Sequence, residues 1–191
     1  NSNSLYEQIA GLIQSARKQV ATQVNTALLT TYWNVGRLIV EDEQNSEHRA
    51  EYGKRVLVDL SKRLTKDFGK GFSRSNLHWM RELYIKYPIC QTLSNKLSWS
   101  HYCELLTISD DTKRSFYEKE CVNARWSFRE LKRQIDSSLF ERLLLSDGQA
   151  NKERVMQLAS NGVKMSHPSD IIKDPYVFEF VGIPENKPMM E

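Results

Sequence analysis

Residues 68–87 read FGKGFSRSNLHWMRELYIKY, and this stretch decides the fold. Gly69 and Gly71 lie two residues apart, and they predict a turn because each would cost a helix interior about 1 kcal/mol relative to alanine. Ser73 follows in the position of a helix N-cap, where its side-chain oxygen can accept a hydrogen bond from a backbone N–H of the first turn. The stretch therefore predicts a short glycine turn that leads into a helix.

The residues on both sides of this turn recur with helical periodicity. Before it, an apolar ridge is formed by Val56, Leu57, Leu60, Leu64 and Phe68. After it, the predicted helix has an apolar face, made of Leu77, Met80, Leu83, Tyr84 and Tyr87. The opposite face is polar and carries Arg74, His78, Glu82 and Lys86, with Arg81 on its flank. Helix, short turn and amphipathic helix together predict a helix-turn-helix-like unit.

This unit coincides with a basic block. From Arg49 to Lys86 the sequence has ten basic and four acidic residues, a net charge of +6 in a chain whose total is +3. A DNA-reading helix presents its N-terminal polar residues to the major groove, so we predict nucleic-acid contacts from Lys70, Ser73, Arg74, His78 and Arg81. Phosphate contacts are predicted from Lys62, Arg63 and Lys66. The alternative is that the outer face is only solvated, since capped amphipathic helices are common in helical domains.

The composition is that of a globular protein without a membrane segment. The 191 residues are 40% hydrophobic and 10% aromatic, which excludes a disordered chain, and no apolar run approaches the roughly 18 residues of a membrane helix. Cys90, Cys103 and Cys121 are odd in number and widely spaced, so a disulfide framework is not expected. We therefore expect a cytoplasmic protein that does not associate with membranes.

The first forty residues predict a long helix. Ser4 and Glu7 have capping-box spacing, and apolar residues then recur at steps of three and four as far as Ile39. An unbroken helix of this length would be about 57 Å long, much more than the radius of a compact chain of this size. The sequence leaves two alternatives open. The helix breaks near Gly36 or within residues 22–25, or it projects and pairs with a partner helix or a second copy of the chain.

The remainder of the chain predicts an all-α bundle followed by an extended tail. The polar residues 41–51 predict a loop, and further helices are expected after N-caps at Ser98, Asp110 and Ser127. From residue 146 the sequence becomes polar with Gly and Pro, and 176–181 has the composition of a short strand. We predict a helical domain at 1–145, a linker at 146–175 and the start of another domain at 176–191.

Catalytic and metal-binding motifs are not found. The four histidines are scattered, and neither a phosphate loop nor a nucleophile elbow is present. Glu130 and Lys132 match the ExK half of a metal-dependent nuclease signature, with Asp110 and Asp111 upstream. The cap at Ser127 predicts a helix there, however, which would separate the two side chains by about 200°. We therefore expect no enzyme activity and no cofactor in these residues.

Several blocks of the sequence occur in the order that is typical of one family. They include RWSFRELKRQI at 125–135 and KDPYVFEFVGI at 173–183, together with residues 30–44, 49–84, 97–106, 116–121 and 140–146. Read together, they resemble the N-terminal domain of bacterial YhcG-type proteins. In that family a PD-(D/E)XK nuclease domain follows, so the resemblance implies a helical accessory domain of a nuclease, used in genome defence or DNA processing. It also implies that the divalent metal belongs to the nuclease domain.

Two functional hypotheses follow. The first is a module that binds nucleic acid, DNA in preference to RNA, and delivers it to the chain's own nuclease domain. The second is an assembly module, in which the long first helix forms a homodimer or binds a protein partner. The sequence does not distinguish DNA from RNA, nor does it give the preferred nucleic-acid sequence or the oligomeric state.

Overall fold

The computed structural model describes residues 2–45, 49–145 and 153, and in that part of the chain its regular secondary structure consists of helices without strands. Seven α-helices follow one another, with single turns of 3-10 helix at Lys70–Phe72 and Cys90–Thr92. Their bounds are α1 Ser2–Asn45, α2 Arg49–Phe68, α3 Arg74–Lys86, α4 Trp99–Leu106, α5 Asp111–Ala124, α6 Phe128–Asp136 and α7 Leu139–Leu145. The all-α prediction is confirmed. The predicted linker and strand lie outside the described residues.

The first helix, α1, is continuous over 44 residues, about 66 Å at 1.5 Å per residue. Gly36, where the sequence suggested a break, is instead the point at which α1 crosses α3. A Cβ atom built on Gly36 would lie 1.9 Å from the backbone oxygen of Met80. Glycine is required here because the two backbones approach too closely for any side chain. The alternative of a broken helix is therefore wrong, and the alternative of a continuous helix is right.

The two halves of α1 lie in different environments. From Ala21 to Val40 the helix buries one face in the core, and Leu28, Leu29 and Tyr32 are almost completely covered. From Leu5 to Val20 its large apolar side chains are exposed to solvent. One half of the helix is thus an integral part of the bundle, and the other half extends beyond it.

The core is centred on α3, which packs against the second half of α1 and against α2 and α4. Leu77, Met80 and Leu83 are fully buried on the predicted apolar face. Large buried side chains from the other helices complete this core, among them Tyr32, Trp99, Tyr102, Leu105, Phe116, Tyr117 and Leu131. The first half of the described chain and the last four helices therefore share one hydrophobic core.

The caps predicted at Ser98, Asp110 and Ser127 are found at helix starts, whereas the one predicted at Ser4 is wrong because α1 already begins at Ser2. Asp110 accepts a hydrogen bond from the backbone N–H of Lys113 (2.8 Å), and Ser127 accepts one from Glu130 (3.3 Å). At α4 the N–H of Ser98 donates to Nδ1 of the buried His101 (3.2 Å). The loop predicted at 41–51 was wrong for 41–45 and 49–51, because α1 continues to Asn45 and α2 begins at Arg49, and residues 46–48 lie outside the described part of the chain.

Candidate nucleic-acid interface

The turn between α2 and α3 depends on the first of its two glycines. Gly69 has φ 97° and ψ −175°, a backbone conformation that side chains disfavour, and it ends α2. One 3-10 turn follows, and Ser73 then caps α3 by accepting a hydrogen bond from the N–H of Asn76 (3.3 Å). The sequence predicted this turn and this cap, and both are present. Whether the unit belongs to the helix-turn-helix class remains a prediction.

A buried asparagine fixes the turn to the rest of the core. Asn76 donates through Nδ2 to the backbone oxygen of Gly71, and its Oδ1 accepts a hydrogen bond from Trp99 Nε1 (2.7 Å). Asn76 and Trp99 are both buried, so the network is shielded from water. Sequence reasoning missed Asn76. The signal was its place three residues after the N-cap, on the inner side of α3 next to Leu77.

The start of α3 is open to solvent on its polar side. Ser73, Arg74 and His78 are exposed, whereas Leu77 on the opposite side is fully buried. Arg74 and His78 lie one helical turn apart, so both side chains project from the same face. The predicted division of α3 into a polar outer side and an apolar inner side is therefore present at its N-terminal end.

Three more predicted residues extend this surface along α2. Lys62, Arg63 and Lys66 are all exposed, and Lys70 is exposed in the turn that follows. We call the surface formed by Lys62, Arg63, Lys66, Lys70 and Arg74 the basic face. Among the residues that the structure describes, no acidic side chain forms an ion pair with any of these five cations. Their charges are therefore available to an external anion.

Arg81 lies in a different environment from the other predicted residues. Its Nε donates to Glu43 of α1 (2.8 Å), and its Nη1 donates to Glu82 (2.9 Å). The side chain is 30% exposed. The guanidinium thus connects α3 to α1, and both of its ion pairs are made within the chain.

Lys86 was predicted on the outer polar face, and this prediction was wrong. Its Nζ donates to the backbone oxygens of Leu106 (2.7 Å) and Ile108 (3.0 Å), at the C-terminal end of α4. Burial lowers the pKa of this ammonium, and the nearby Arg114 lowers it further. Lys86 therefore satisfies helix-end carbonyls that would otherwise lack partners, which is a structural role.

Phe68, like Asn76, lies in an environment that the sequence did not reveal. It belongs to the apolar ridge predicted for α2, but its side chain is 63% exposed at the end of that helix, between Lys66 and Lys70 in the sequence. Its ring contacts Phe72 edge to face (6.1 Å), Phe72 contacts Tyr32 (6.0 Å), and Tyr32 contacts Trp99 (4.9 Å). A row of rings therefore connects the buried Trp99 to an exposed ring at the end of α2.

A second polar cluster, between α3 and α5, has the most strongly perturbed titratable groups. The Tyr87 hydroxyl donates to Glu118 Oε2 (2.9 Å), and the Arg114 guanidinium lies 5.6 Å from the centre of the Tyr87 ring. Burial raises the pKa of the Glu118 carboxyl, and burial raises the pKa of the Cys121 thiol to about 12. A thiol with so high a pKa is a poor nucleophile. We therefore assign this cluster a structural role in the core.

The ExK match at 130–132 does not form a metal site. Glu130 accepts hydrogen bonds from Gln134 (2.7 Å) and Arg133 within α6, while Lys132 lies 3.4 Å from Glu104 of α4. In the described part of the chain, no three His, Cys, Asp or Glu side chains are grouped closely enough to hold a metal ion. The helices described there also include none with an apolar stretch long enough to cross a membrane.

Comparison with known proteins places this fold in a family. The model of the DUF1016 N-terminal domain matches residues 8–142. The chain is also 35% identical over 209 aligned positions to the protein named "Putative nuclease YhcG" of Escherichia coli (strain K12). The alignment covers 93% of this chain and 55% of that relative, so the chain spans about half the relative's length. No solved structure matches. The chain therefore belongs to the DUF1016 N-terminal domain family.

Proposed function

We propose that this chain is the DNA-binding accessory domain of a nuclease and that it does not itself perform the cleavage. The observation that carries the proposal is the basic face, where five exposed cations on the second half of α2, in the turn and at the first position of α3 have no acidic partner among the described residues. Surface lysines and arginines on helical domains commonly form ion pairs with neighbouring acids. Five cations within thirteen residues that lack such pairs favour a polyanionic ligand.

The geometry supports a specific mode of binding. The start of α3 enters the major groove, where Arg74 and His78 lie close to base edges. Lys62 and Lys66, one turn apart on α2, contact phosphates on one side of the groove, and Lys70 contacts a phosphate near the turn. Arg81 makes no DNA contact in this mode, since Glu43 and Glu82 bind its guanidinium.

The proposal that a separate nuclease domain performs the cleavage is based on the family. The relative from Escherichia coli is named a nuclease, and the chain matches about half of it. We propose that the catalytic residues and their divalent metal belong to the other half of such a protein. This helical domain would then hold the DNA and present it to that active site.

A salt titration tests the proposal. Binding to duplex DNA, branched DNA and RNA is measured by fluorescence anisotropy between 50 and 300 mM salt. Neutralising the three phosphates contacted by Lys62, Lys66 and Lys70 gives a slope of about −2.7 in a plot of log K against log salt, because condensed counterions are released. Lys62→Ala with Lys66→Ala should reduce the magnitude of this slope by about 2.

The matched control removes two exposed cations from another part of the bundle. Arg129→Ala with Arg142→Ala on α6 and α7 lowers the net charge equally and should leave the slope unchanged. Absence of duplex binding at 50 mM salt would overturn the proposal. An equal effect of the two double variants would overturn the assignment of the basic face, and tighter binding of RNA than of either DNA would replace DNA as the ligand.

The structure also favours assembly as a second function. The exposed apolar side chains of α1 from Leu5 to Val20 leave a surface that an isolated chain would have to expose to water. We propose that this half of α1 forms a homodimer or binds a protein partner. Sedimentation velocity between 1 and 100 μM checks this, and a monomer throughout that range would contradict the homodimer. Assembly and DNA binding are compatible, since a dimer presents two basic faces.

A further inference from the structure

Cations and aromatic rings alternate along the turn between α2 and α3. Residues 66–74 read KDFGKGFSR, so Lys66, Phe68, Lys70, Phe72 and Arg74 follow one another at steps of two. The three cations are exposed, and no acidic side chain in the described part of the chain pairs with them. Cations interleaved with aromatic rings are typical of surfaces that bind single-stranded nucleic acid.

Phe68 is exposed and yet held in place. It is the last residue of α2, and its side chain is 63% exposed. Its ring contacts Phe72 edge to face at 6.1 Å, and Phe72 in turn contacts the buried Tyr32. A ring with this exposure has at least one face open to water, and a side chain that is already positioned loses little conformational freedom on binding. The ring is therefore suited to stacking with a planar group.

The position of the ring relative to the cations distinguishes a duplex from a single strand. Two residues span at most about 7 Å of backbone, so the Cα atoms of Lys66 and Lys70 both lie within that distance of the Cα of Phe68. At about 100° per residue, however, Phe68 leaves α2 on a different side from Lys62 and Lys66. A stiff duplex held by these two lysines does not also present a base to the ring. A flexible single strand can continue from them around the end of α2 to Lys70 and Phe68.

We propose that Phe68 stacks with an unpaired base, so that the preferred substrate of this domain is duplex DNA with a single-stranded extension. An unpaired base has an open face, whereas the bases of a duplex are already stacked on their neighbours and have to be extruded at a cost. Lys66 and Lys70 contact the phosphates on either side of the stacked nucleotide. This inference rests on the proposed DNA binding, and it adds the class of DNA that the domain prefers.

Three DNA ligands test the inference by fluorescence anisotropy. The first is a blunt 12-base-pair duplex, the second is the same duplex with four unpaired thymidines on each strand at one end, and the third carries abasic nucleotides in place of those thymidines. The two forks have equal charge, so a difference between them measures contacts to bases. We expect the thymidine fork to bind about 5- to 100-fold more tightly than the abasic fork, which corresponds to stacking of one base on an aromatic ring.

Three variants assign this difference to the ring. Phe68→Leu keeps an apolar side chain and removes the aromatic face, so it should abolish most of the difference between the forks and bind the blunt duplex as the unmodified chain does. Phe68→Trp offers a larger ring and should preserve or increase the difference. The matched control Ile89→Ala removes a side chain that is 57% exposed elsewhere on the bundle and should leave all three affinities unchanged.

The outcomes separate this inference from the proposed function. Equal binding of the two forks by the unmodified chain would overturn the inference alone, and so would a difference that persists in Phe68→Leu. Absence of binding to all three ligands at 50 mM salt would overturn the proposed function and the inference with it. If a protein surface covers Phe68 instead, Phe68→Leu will change the sedimentation of the chain and not the affinity ratio of the forks, which also overturns the inference.

Photochemical cross-linking locates the contact directly. The unpaired thymidines of the fork are replaced by 5-iododeoxyuridine, the complex is irradiated, and mass spectrometry identifies the residue that carries the nucleotide. We expect the cross-link at Phe68, with loss of this product in Phe68→Leu. Cross-links confined to residues outside 66–74 would overturn the assignment of the ring.

Discussion

The two halves of α1 have similar residue types but different surroundings. Residues 5–20 carry Leu, Ile, Val and Tyr at helical spacing, and residues 21–40 do so as well, yet within the described part of the chain the large apolar side chains of the first half are exposed and those of the second half are largely buried. The second half is distinguished by Gly36, which permits the close crossing with α3, and by Asn25, which is fully buried. The apolar pattern of α1 therefore predicts that one face of the helix will be covered. The small Gly36 and the polar Asn25 indicate which part of that face is covered by the chain itself.

The largest expected effect comes from comparing the two glycines of α1. Gly36→Ala places a methyl group 1.9 Å from the backbone oxygen of Met80, so α1 and α3 must separate. We expect the free energy of unfolding to fall by more than about 4 kcal/mol, or the chain to lose its fold. Urea denaturation followed by circular dichroism measures the change.

Gly11→Ala is the matched control in the exposed half. A Cβ on Gly11 has no atom within 4 Å, so the substitution only improves helix propensity. Stability should stay the same or rise by up to about 1 kcal/mol. Similar losses for both glycines would contradict the division of α1 into a packed and an exposed half.

The next comparison removes one leucine from each half. Leu28 is completely buried, and Leu28→Ala should lower the free energy of unfolding by about 2–5 kcal/mol through lost burial and a cavity. Leu12 is 72% exposed, and Leu12→Ala should change the stability of the monomer by less than about 0.5 kcal/mol. Thermal unfolding at 2 μM, where the monomer is favoured, measures both. A large loss for Leu12→Ala would mean that the first half of α1 is already covered within one chain.

Asn25 tests whether a polar residue anchors the packed half. Its Nδ2 donates to the backbone oxygens of Asn95 (3.1 Å) and Leu97 (3.0 Å), which fixes the loop before α4 to α1. Asn25→Ala leaves two carbonyls without this donor and should cost about 2–3 kcal/mol. Gln14→Ala, in the exposed half, should be neutral or slightly stabilising. Hydrogen exchange of residues 95–98 is a direct readout, and unchanged protection in Asn25→Ala would contradict this anchoring role.

The smallest expected effect concerns the ion pair between α1 and α3. Glu43→Gln removes the carboxylate that binds Arg81 Nε, and because the pair is partly exposed its loss should cost less than about 1 kcal/mol. The same change removes a negative charge beside α3 and leaves Arg81 paired with Glu82, so the proposed DNA binding should become tighter by a few fold. The affinities of Glu43→Gln and of the control Glu7→Gln for a 12-base-pair duplex measure this effect. Weaker binding by Glu43→Gln would contradict the prediction and would show that the pair positions α3 for DNA.

Much of the local structure could be predicted from the sequence. The turn at Gly69, the cap at Ser73 and the start of α5 at Asp110 depend on hydrogen bonds between residues three or four positions apart, which sequence spacing reveals directly. The buried face of α3 followed from helical periodicity for the same reason. The exposed positions of Lys62, Lys66, Lys70 and Arg74 were also predicted correctly, although what they bind remains a proposal.

The tertiary structure decided the questions that depend on residues far apart in the chain. The sequence could not show that Gly36 is a crossing point, because its partner Met80 is 44 residues away. It could not place Phe68 on the surface or Lys86 at the end of α4, since both have the local spacing of the opposite environment. Local hydrogen bonding and periodicity therefore determined where the helices lie along this chain. Long-range packing determined which half of α1 is covered and which cations remain free for a ligand.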